Sequence, residues 1–448
     1  MTNAGQNQAS QQKVLRLYTE EVSSMNGHQR FESRIFDEIR MEQRRTSVPE
    51  GFPALPEIPG GRYTRLDFFE LELECVFGRG WVMAGHEQEL PHPGSYKRFD
   101  RLPGSPMLLV RDRGARVRAF YNTCRHRGAP VVSDESGRCN VLRCQYHSWG
   151  YDLTGQLVAV PAEHDFPGLD KATRGLLPVR CETYRGLIFV NKNSDAIPLH
   201  RHMGALVEEW AMTGLDAMRL DYHWSRVINC NWKCALDAFQ EVYHIKTLHP
   251  VTVGALLDDS AATMGLLPGG NSRMCVRYTS ATVDEVPTGG WAEGEVYRRT
   301  SVAQTLWPCL NVPWSPGSAK FLLFWPRSVG QCEIEVVGLG PDWGDGPLPA
   351  EREEANRTFD SILDEDVRNL EAIQASLNSG AFTGMLLGYQ ERRIYWSHEE
   401  IDRVIGADLV PHDLAVAQVL GHFAESAGPA EPAEPAERAE AIKALPGA

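Results

Sequence analysis

Cys124-Arg125-His126 and then, with seventeen residues between, Cys144-Gln145-Tyr146-His147 form the stretch on which the reading of this chain turns. Two soft thiols and two imidazoles in two close pairs make a four-ligand metal site, because each pair fits one tight loop and the loops can face each other. Zinc fingers usually keep like ligands together, a Cys pair and then a His pair. Cys-x-His matched with Cys-x-x-His suits two irons instead, one taking both sulfurs and the other both ring nitrogens. A structural zinc on the same four side chains is the alternative, and four unrelated core residues the blandest one.

The texture around the pairs is that of a small antiparallel β unit. Over residues 81–193, short β-branched and aromatic runs alternate with turn residues. Segments 107–111 and 117–121 flank Asp112-Arg113-Gly114, a hairpin that delivers the chain to Cys124. Segment 141–143 delivers the second loop, and 149–153 with 157–160 flank Thr154-Gly155, a further hairpin. Gly128 and Ala129-Pro130 allow tight turns whose amide groups can tune a bound cluster. Trp149 is placed either to shield the site or simply to fill the core.

Upstream, a charged run over 14–45 carries a broken apolar face (Leu15, Leu17, Phe31, Ile35, Phe36, Ile39) and reads as a helical arm. Segment 48–61, with four prolines and three glycines, reads as an extended linker. Leu66, Phe69, Leu73 and Val76 then recur at helical spacing, and Gly78 is expected to end that helix. A chain of 448 residues exceeds one ordinary core. The expected division is arm and linker over 1–62, the β unit over 63–193, a larger unit over 194–426, and a low-complexity, disordered tail over 427–448.

Hydrophobic residues at 42% and charged residues at 23% are those of an ordinary globular protein. The formal net charge of -14 argues against nucleic acid or an anionic membrane as partner. No apolar run is long enough to span a bilayer, and the Gln-, Asn- and Ser-rich start lacks a secretory signal, so a cytoplasmic location is expected. Ten scattered cysteines do not form the pattern of a secreted disulfide scaffold. Cys139, Cys230 and Cys234 read as packing residues.

A second site is suggested downstream, where a helical run over 237–249 carries Glu241, His244 and His249 and stops before Pro250. Glu241 and His244, three apart, are expected on one helix face, and His249 can curl back so that both imidazoles chelate one ion, with Glu241 as a third ligand or as an acceptor for a ring N–H. Two unrelated surface histidines are the competing reading. A long helix over 351–377 offers a further ligand, since Asp366 falls on its apolar stripe of Phe359, Ile362, Leu363, Leu370, Ile373 and Leu377. A buried carboxylate costs several kcal/mol unless it is paired or binds a cation. An inward Asp can also cap or meet an Arg. Two histidines and a carboxylate form the facial set of non-haem Fe(II) oxygenases.

Taken together, residues from about 65 to about 380 resemble the catalytic (alpha) subunit of the Rieske non-haem iron oxygenases of the ring-hydroxylating type. The resemblance implies an α+β fold, an N-terminal Rieske antiparallel β domain followed by a catalytic domain whose antiparallel sheet packs against helices around a mononuclear iron. It assigns Cys124, His126, Cys144 and His147 to the 2Fe-2S cluster, and His244, His249 and Asp366 to Fe(II). It makes Glu241 a bridge for electrons between His244 and a cluster histidine of a neighbouring subunit. Implied partners are a ferredoxin or flavin reductase drawing on NAD(P)H, dioxygen, a small-molecule substrate and two further copies in a homotrimer, with a beta subunit as an option. The implied reaction is hydroxylation of an aromatic or related ring compound. Glu in place of the more usual Asp at 241 points to monooxygenation or N-demethylation of a quaternary ammonium (carnitine- or betaine-like) compound as the alternative, and an electron-transfer protein without oxygenase activity is the reading from another class. Segments 256–272 and 282–291 are expected to be irregular entrance loops.

Overall fold

The computed structural model describes residues 27–279, 294–315 and 317–425. Leu15 and Leu17, the expected loop over 282–291 and the expected tail over 427–448 lie outside them. Helix α1 (Gly27–Arg44) carries the arm's apolar face and buries Ile35 and Ile39. After it, β1 (Ile58–Pro59) leads to α2 (Leu66–Leu71), which passes through a π-helical turn at Glu72–Val76 into α3 (Phe77–Arg79). Gly78 therefore does not end this helix, and Leu66 is exposed. The wide turn instead brings Cys75, Val76 and Phe77 into the core behind Phe68 and Phe69.

Short runs, several of them buried along all or nearly all of their length, then build the first sheet. Its strands are β2 (Val82–His86), β3 (Ser95–Phe99), β4 (Met107–Arg111), β5 (Val117–Tyr121), β6 (Ser136–Arg138), β10 (Pro178–Tyr184) and β11 (Leu187–Asn191), in the order β2-β11-β10-β5-β4-β3-β6. The 107–111/117–121 hairpin forms as expected, Leu109 opposite Ala119. Beside it, β7 (Leu142–Arg143), β8 (Gly150–Tyr151) and β9 (Leu157–Ala159) make a three-stranded sheet whose Leu142, Trp149, Tyr151 and Leu157 share a small core with Leu108, Val110 and Phe120 of the first sheet.

The second sheet is wholly antiparallel: β12 (Met218–Ile228), β13 (Leu257–Leu266), β14 (Ser272–Tyr278), β15 (Thr300–Leu306), β16 (Leu310–Ser315), β17 (Ser318–Ser328) and β18 (Gln331–Pro341), ordered β12-β18-β17-β16-β15-β14-β13. Segment 256–272 is thus mostly strand and not an irregular loop, because Met264 opposite Met274 and Ala262 opposite Val276 give it a buried partner. Period-two alternation sorts its residues onto two faces. Arg273, Gln304, Trp314 and Phe321 share an outer face with Trp210 and Glu209. Ser272, Met274, Ala303, Thr305, Asn311 and Leu322 share the inner one.

Helix α4 (Trp232–Asp237), α5 (Ile245–Leu248), α6 (Ala350–Asn378) and α7 (Arg392–Ile405) complete the core. The short β19 (Gly384–Met385) pairs with β1. The expected helix over 237–249 is broken. Glu241 turns its carboxylate back onto the amides of Tyr243 and His244, and a side-chain acceptor for two N–H groups competes with helix continuation in the way an N-cap does. On α6, Leu363, Leu370 and Leu377 are buried, while Ile373 is 43% exposed at the margin of the stripe.

Candidate active site

Two loops related by a local repeat present the four N-terminal donors. In one, Cys124 N donates to Ala129 O and Gly128 N to Cys124 O; in the other, Cys144 N donates to Trp149 O and Ser148 N to Cys144 O. Each loop needs a left-handed residue four positions after its cysteine, Gly128 at φ +78° and Ser148 at φ +58°. Both cysteines are buried, and the His126 and His147 rings stand 4.6 Å apart. Trp149 stacks flat on His126 at 4.8 Å, which is the shielding position.

These residues fit a two-iron cluster on their own chemistry. His126 Nδ1 is buried without a hydrogen-bond partner, a costly state for a polar atom that does not bind a ligand. Burial, then the neighbouring His147 and Arg127, hold His126 below its usual pKa, which favours the unprotonated ring nitrogen that a metal needs. Burial raises the Cys124 thiol, and the Tyr151 hydroxyl 3.2 Å from its sulfur works the other way. Because Tyr151 Oη already accepts from Arg125 N at 2.9 Å, its single proton is free to point at the sulfur.

Among the described residues, one set of three converging donors is present: His244, His249 and Asp366, with ligand atoms all within 4.8 Å of one another. His249 Nε2 lies 2.9 Å and His244 Nε2 3.4 Å from Asp366 Oδ1. Each ring turns its other nitrogen to a carboxylate, His244 Nδ1 to Glu241 and His249 Nδ1 to Glu365 Oε2 at 2.6 Å. A carboxylate behind a histidine fixes its tautomer and raises its basicity toward a metal. Burial opposes a charged His244, yet its bonds to Asp366 and Glu241 outweigh that and lift it to about 10. A proton and a divalent cation therefore compete for the same place. Two imidazoles and one carboxylate fit Fe(II), and leave positions for other ligands.

The scaffold behind these donors is polar and fully buried. Glu72 in the π-helical turn meets Lys233 at 2.6 Å and Trp232 Nε1 at 3.1 Å. Arg62 Nε donates to His398 Nδ1 at 2.9 Å, so His398 Nε2 carries the proton toward Tyr63 Oη, and Tyr63 donates to Asp237 Oδ2 at 2.7 Å. Burial pushes Asp237, one turn before Glu241, up to about 7.

Comparison with known proteins agrees with this geometry. A family model for the Rieske [2Fe-2S] domain matches residues 80–178, and one for the ring hydroxylating alpha subunit (catalytic domain) matches residues 215–407. The chain thus joins a Rieske domain to a ring-hydroxylating alpha-subunit catalytic domain. Such an alpha subunit carries a Rieske cluster and a mononuclear iron. The chain is 38% identical over 193 residues to biphenyl 2,3-dioxygenase subunit alpha of Rhodococcus jostii (strain RHA1), covering 41% of each chain. To the carnitine monooxygenase oxygenase subunit of Escherichia coli (strain K12) it is 34% identical over 210 residues, covering 45% of this chain and 56% of that one. The chain thus spans less than half the length of the first of these curated relatives. In fold it is similar to the quaternary ammonium Rieske monooxygenase CntA (TM-score 0.68, 21% identity, 80% of this chain and 99% of that). It is also similar to naphthalene 1,2-dioxygenase from Rhodococcus sp. (TM-score 0.65, 22% identity, 79% and 95%).

Read as an alpha subunit of this family, the chain brings every expected donor into one of two groups. Glu241 and His244 meet, though through a turn and not along a helix face. Glu365, Thr252, which donates to Glu365 at 2.7 Å, and Tyr151 had not been singled out from sequence. The acid beside Asp366 was a usable signal for Glu365; Tyr151 had none, since its role depends on which loop its hairpin folds over.

Proposed function

We propose that this chain is the terminal oxygenase component of a multicomponent system, with Cys124, His126, Cys144 and His147 holding the 2Fe-2S cluster and His244, His249 and Asp366 holding Fe(II). When loaded, the two centres supply stored electrons and an open position for dioxygen, drawn from NAD(P)H through a reductase or ferredoxin. The chain's own residues set the rest. Glu241 and Glu365 orient the two imidazoles, Asp366 supplies the charge, and Val242 and Ile245 on either side of His244 pack into an apolar cluster with Met264, Met274, Val276 and Ala303. That cluster excludes water beside the donors and suits an aromatic or related ring compound, which we take as the substrate to be hydroxylated. The observation that carries this reading is the convergence of the His244, His249 and Asp366 donors, backed by Glu241 and Glu365, in a chain that also presents two matched Cys/His loops. We further propose the division of the chain at about residues 63, 194 and 427.

The alternative, oxidation of a quaternary ammonium compound, draws on Glu241 and on the likeness to the carnitine enzyme. A trimethylammonium group is usually held by several aromatic faces, whereas the described apolar cluster contains one aromatic, Tyr278. We therefore favour the ring compound. Assembly as a trimer, in which one subunit's cluster serves its neighbour's iron, is supported by where the exposed aromatics lie: Tyr146 beside His147 and Tyr243 beside His244. Apolar rings bare to solvent at both mouths are what an interface would cover.

The visible spectrum with iron and acid-labile sulfide counts tests the cofactor reading. A red-brown protein with two cluster irons, two sulfides and a third iron is expected; a colourless, sulfide-free protein with stoichiometric zinc would overturn it. Dioxygen uptake with a surrogate reductase, screened over ring compounds and trimethylammonium compounds, tests the reaction.

A further inference from the structure

A guanidinium without a contact ion pair among the described residues lies over the same inner face. Arg393, on α7, has 0% exposure. Its Nε donates to Ser272 Oγ at 2.9 Å and its Nη2 to Thr305 Oγ1 at 3.0 Å, but Nη1 is buried with no hydrogen-bond partner. Equally buried arginines elsewhere are balanced, Arg62 by Asp402 and Arg273 by Glu209. No carboxylate among the described residues forms an ion pair with Arg393; Glu241 acts on it only from beyond contact, and burial pushes it down to about 9. A buried, unpaired cation is costly to keep.

The surroundings have the same imbalance. Thr305 Oγ1 is approached by Arg393 Nη2, by Gln240 Nε2 at 3.4 Å and by Asn311 Nδ2 at 3.0 Å, three donors for an oxygen with two lone pairs. Gln240, fully buried, has no partner for Oε1; turned the other way, its amide would accept from the Thr305 hydroxyl and leave N–H groups free. Either way, the cluster has more donors than acceptors. Register fixes its place: Ser272 pairs with Thr305, and two residues along each strand Met274 pairs with Ala303 in the apolar cluster that flanks His244. Two residues of strand span about 7 Å, the reach of one substituted ring.

We propose that Arg393 and Gln240 form an anion subsite, so that the substrate is a carboxylic acid whose carboxylate accepts from Arg393 Nη1 and the Gln240 amide. Its apolar body then lies along Met274 and Ala303 toward His244, His249 and Asp366. This rests on the oxygenase reading above and narrows its substrate class.

The test is calorimetric titration of the cluster- and iron-loaded protein, without dioxygen, using benzoate, 2-naphthoate and 4-trimethylammoniobutanoate, each beside its methyl ester. At least one acid should bind ten-fold or more tighter than its ester. Arg393→Met should weaken that acid about a hundred-fold, leave the ester unchanged, and hold or raise the Tm, since it removes an unbalanced buried charge. Arg393→Lys should restore part of the preference. Equal binding of every acid and ester, acid binding unaffected by Arg393→Met, or a Tm lowered by many degrees with the acid-to-ester ratio intact would each overturn the subsite. Its failure would leave a red-brown protein that takes up dioxygen with neutral ring compounds; failure of the oxygenase reading would leave no uptake with any compound.

Discussion

A single hydroxyl shows how closely the residue scale governs the redox chemistry. Tyr151 Oη accepts from Arg125 N and lies 3.2 Å from Cys124 Sγ, where its proton can be donated to a cluster-bound thiolate, and hydrogen bonds to cluster sulfurs raise the reduction potential by stabilising the more negative, reduced state. Tyr151→Phe should retain the cluster's colour yet lower its midpoint by tens of millivolts in a spectroscopic redox titration; an unchanged midpoint would remove Tyr151 from this role. Glu241 is the second such residue. Its carboxylate holds His244 Nδ1 and the amides of Tyr243 and His244. We expect Glu241→Ala to retain both metals by elemental analysis and to lose product formation, and near-full turnover would sink the bridging role.

At the scale of elements, the π-helical turn and α4 are locked by one buried pair, Glu72 with Lys233. Burial pushes both partners toward neutrality, Glu72 up and Lys233 down, so the pair is worth little beyond an apolar replacement. Breaking it is another matter, because one charge is left stranded. Lys233→Met should cost about 3–5 kcal/mol in denaturant unfolding, and Glu72→Leu combined with Lys233→Met should recover most of that. If the double variant is no more stable than the single, the stranded-charge account fails. The same logic explains why 237–249 does not form a continuous helix: Glu241 takes amides that a helix would otherwise use.

For the whole molecule, the decisive feature is the central sheet of the second unit. Phe99 stacks edge-on to Trp325 at 5.5 Å, and Arg101 grips Glu333 and Glu335 at 2.7 and 2.8 Å. Glu333 and Glu335 pair with Trp325 and Leu323 on the outer side, while the inner side faces the segment bearing His244 and His249. The first sheet thus docks on the face away from the three converging donors. Electrons within one chain would have to pass the sheet, so transfer between subunits is expected. Mixing His126→Ala chains with Asp366→Ala chains, each inactive alone, should restore activity after co-refolding or co-expression. No recovery in verified mixed oligomers would argue for transfer within a chain.

The two Cys/His loops, their hairpins and the acid on the α6 stripe were legible in the sequence, because ligand spacing, turn residues and periodicity are local properties, whereas strand β13 was not, since only its pairing with β14 gives 257–266 a buried face. So were His244 and His249, and the pause before Pro250. What only the tertiary structure decided is long-range: Glu365 behind His249, Tyr151 over Cys124, and Arg393, 120 or more residues from Ser272, without a contact ion pair among the described residues. No period marks these. Whether a buried charge is balanced depends on which distant segments the sheet register brings against it, and that register is set by the burial of whole faces, not by any short run of residues.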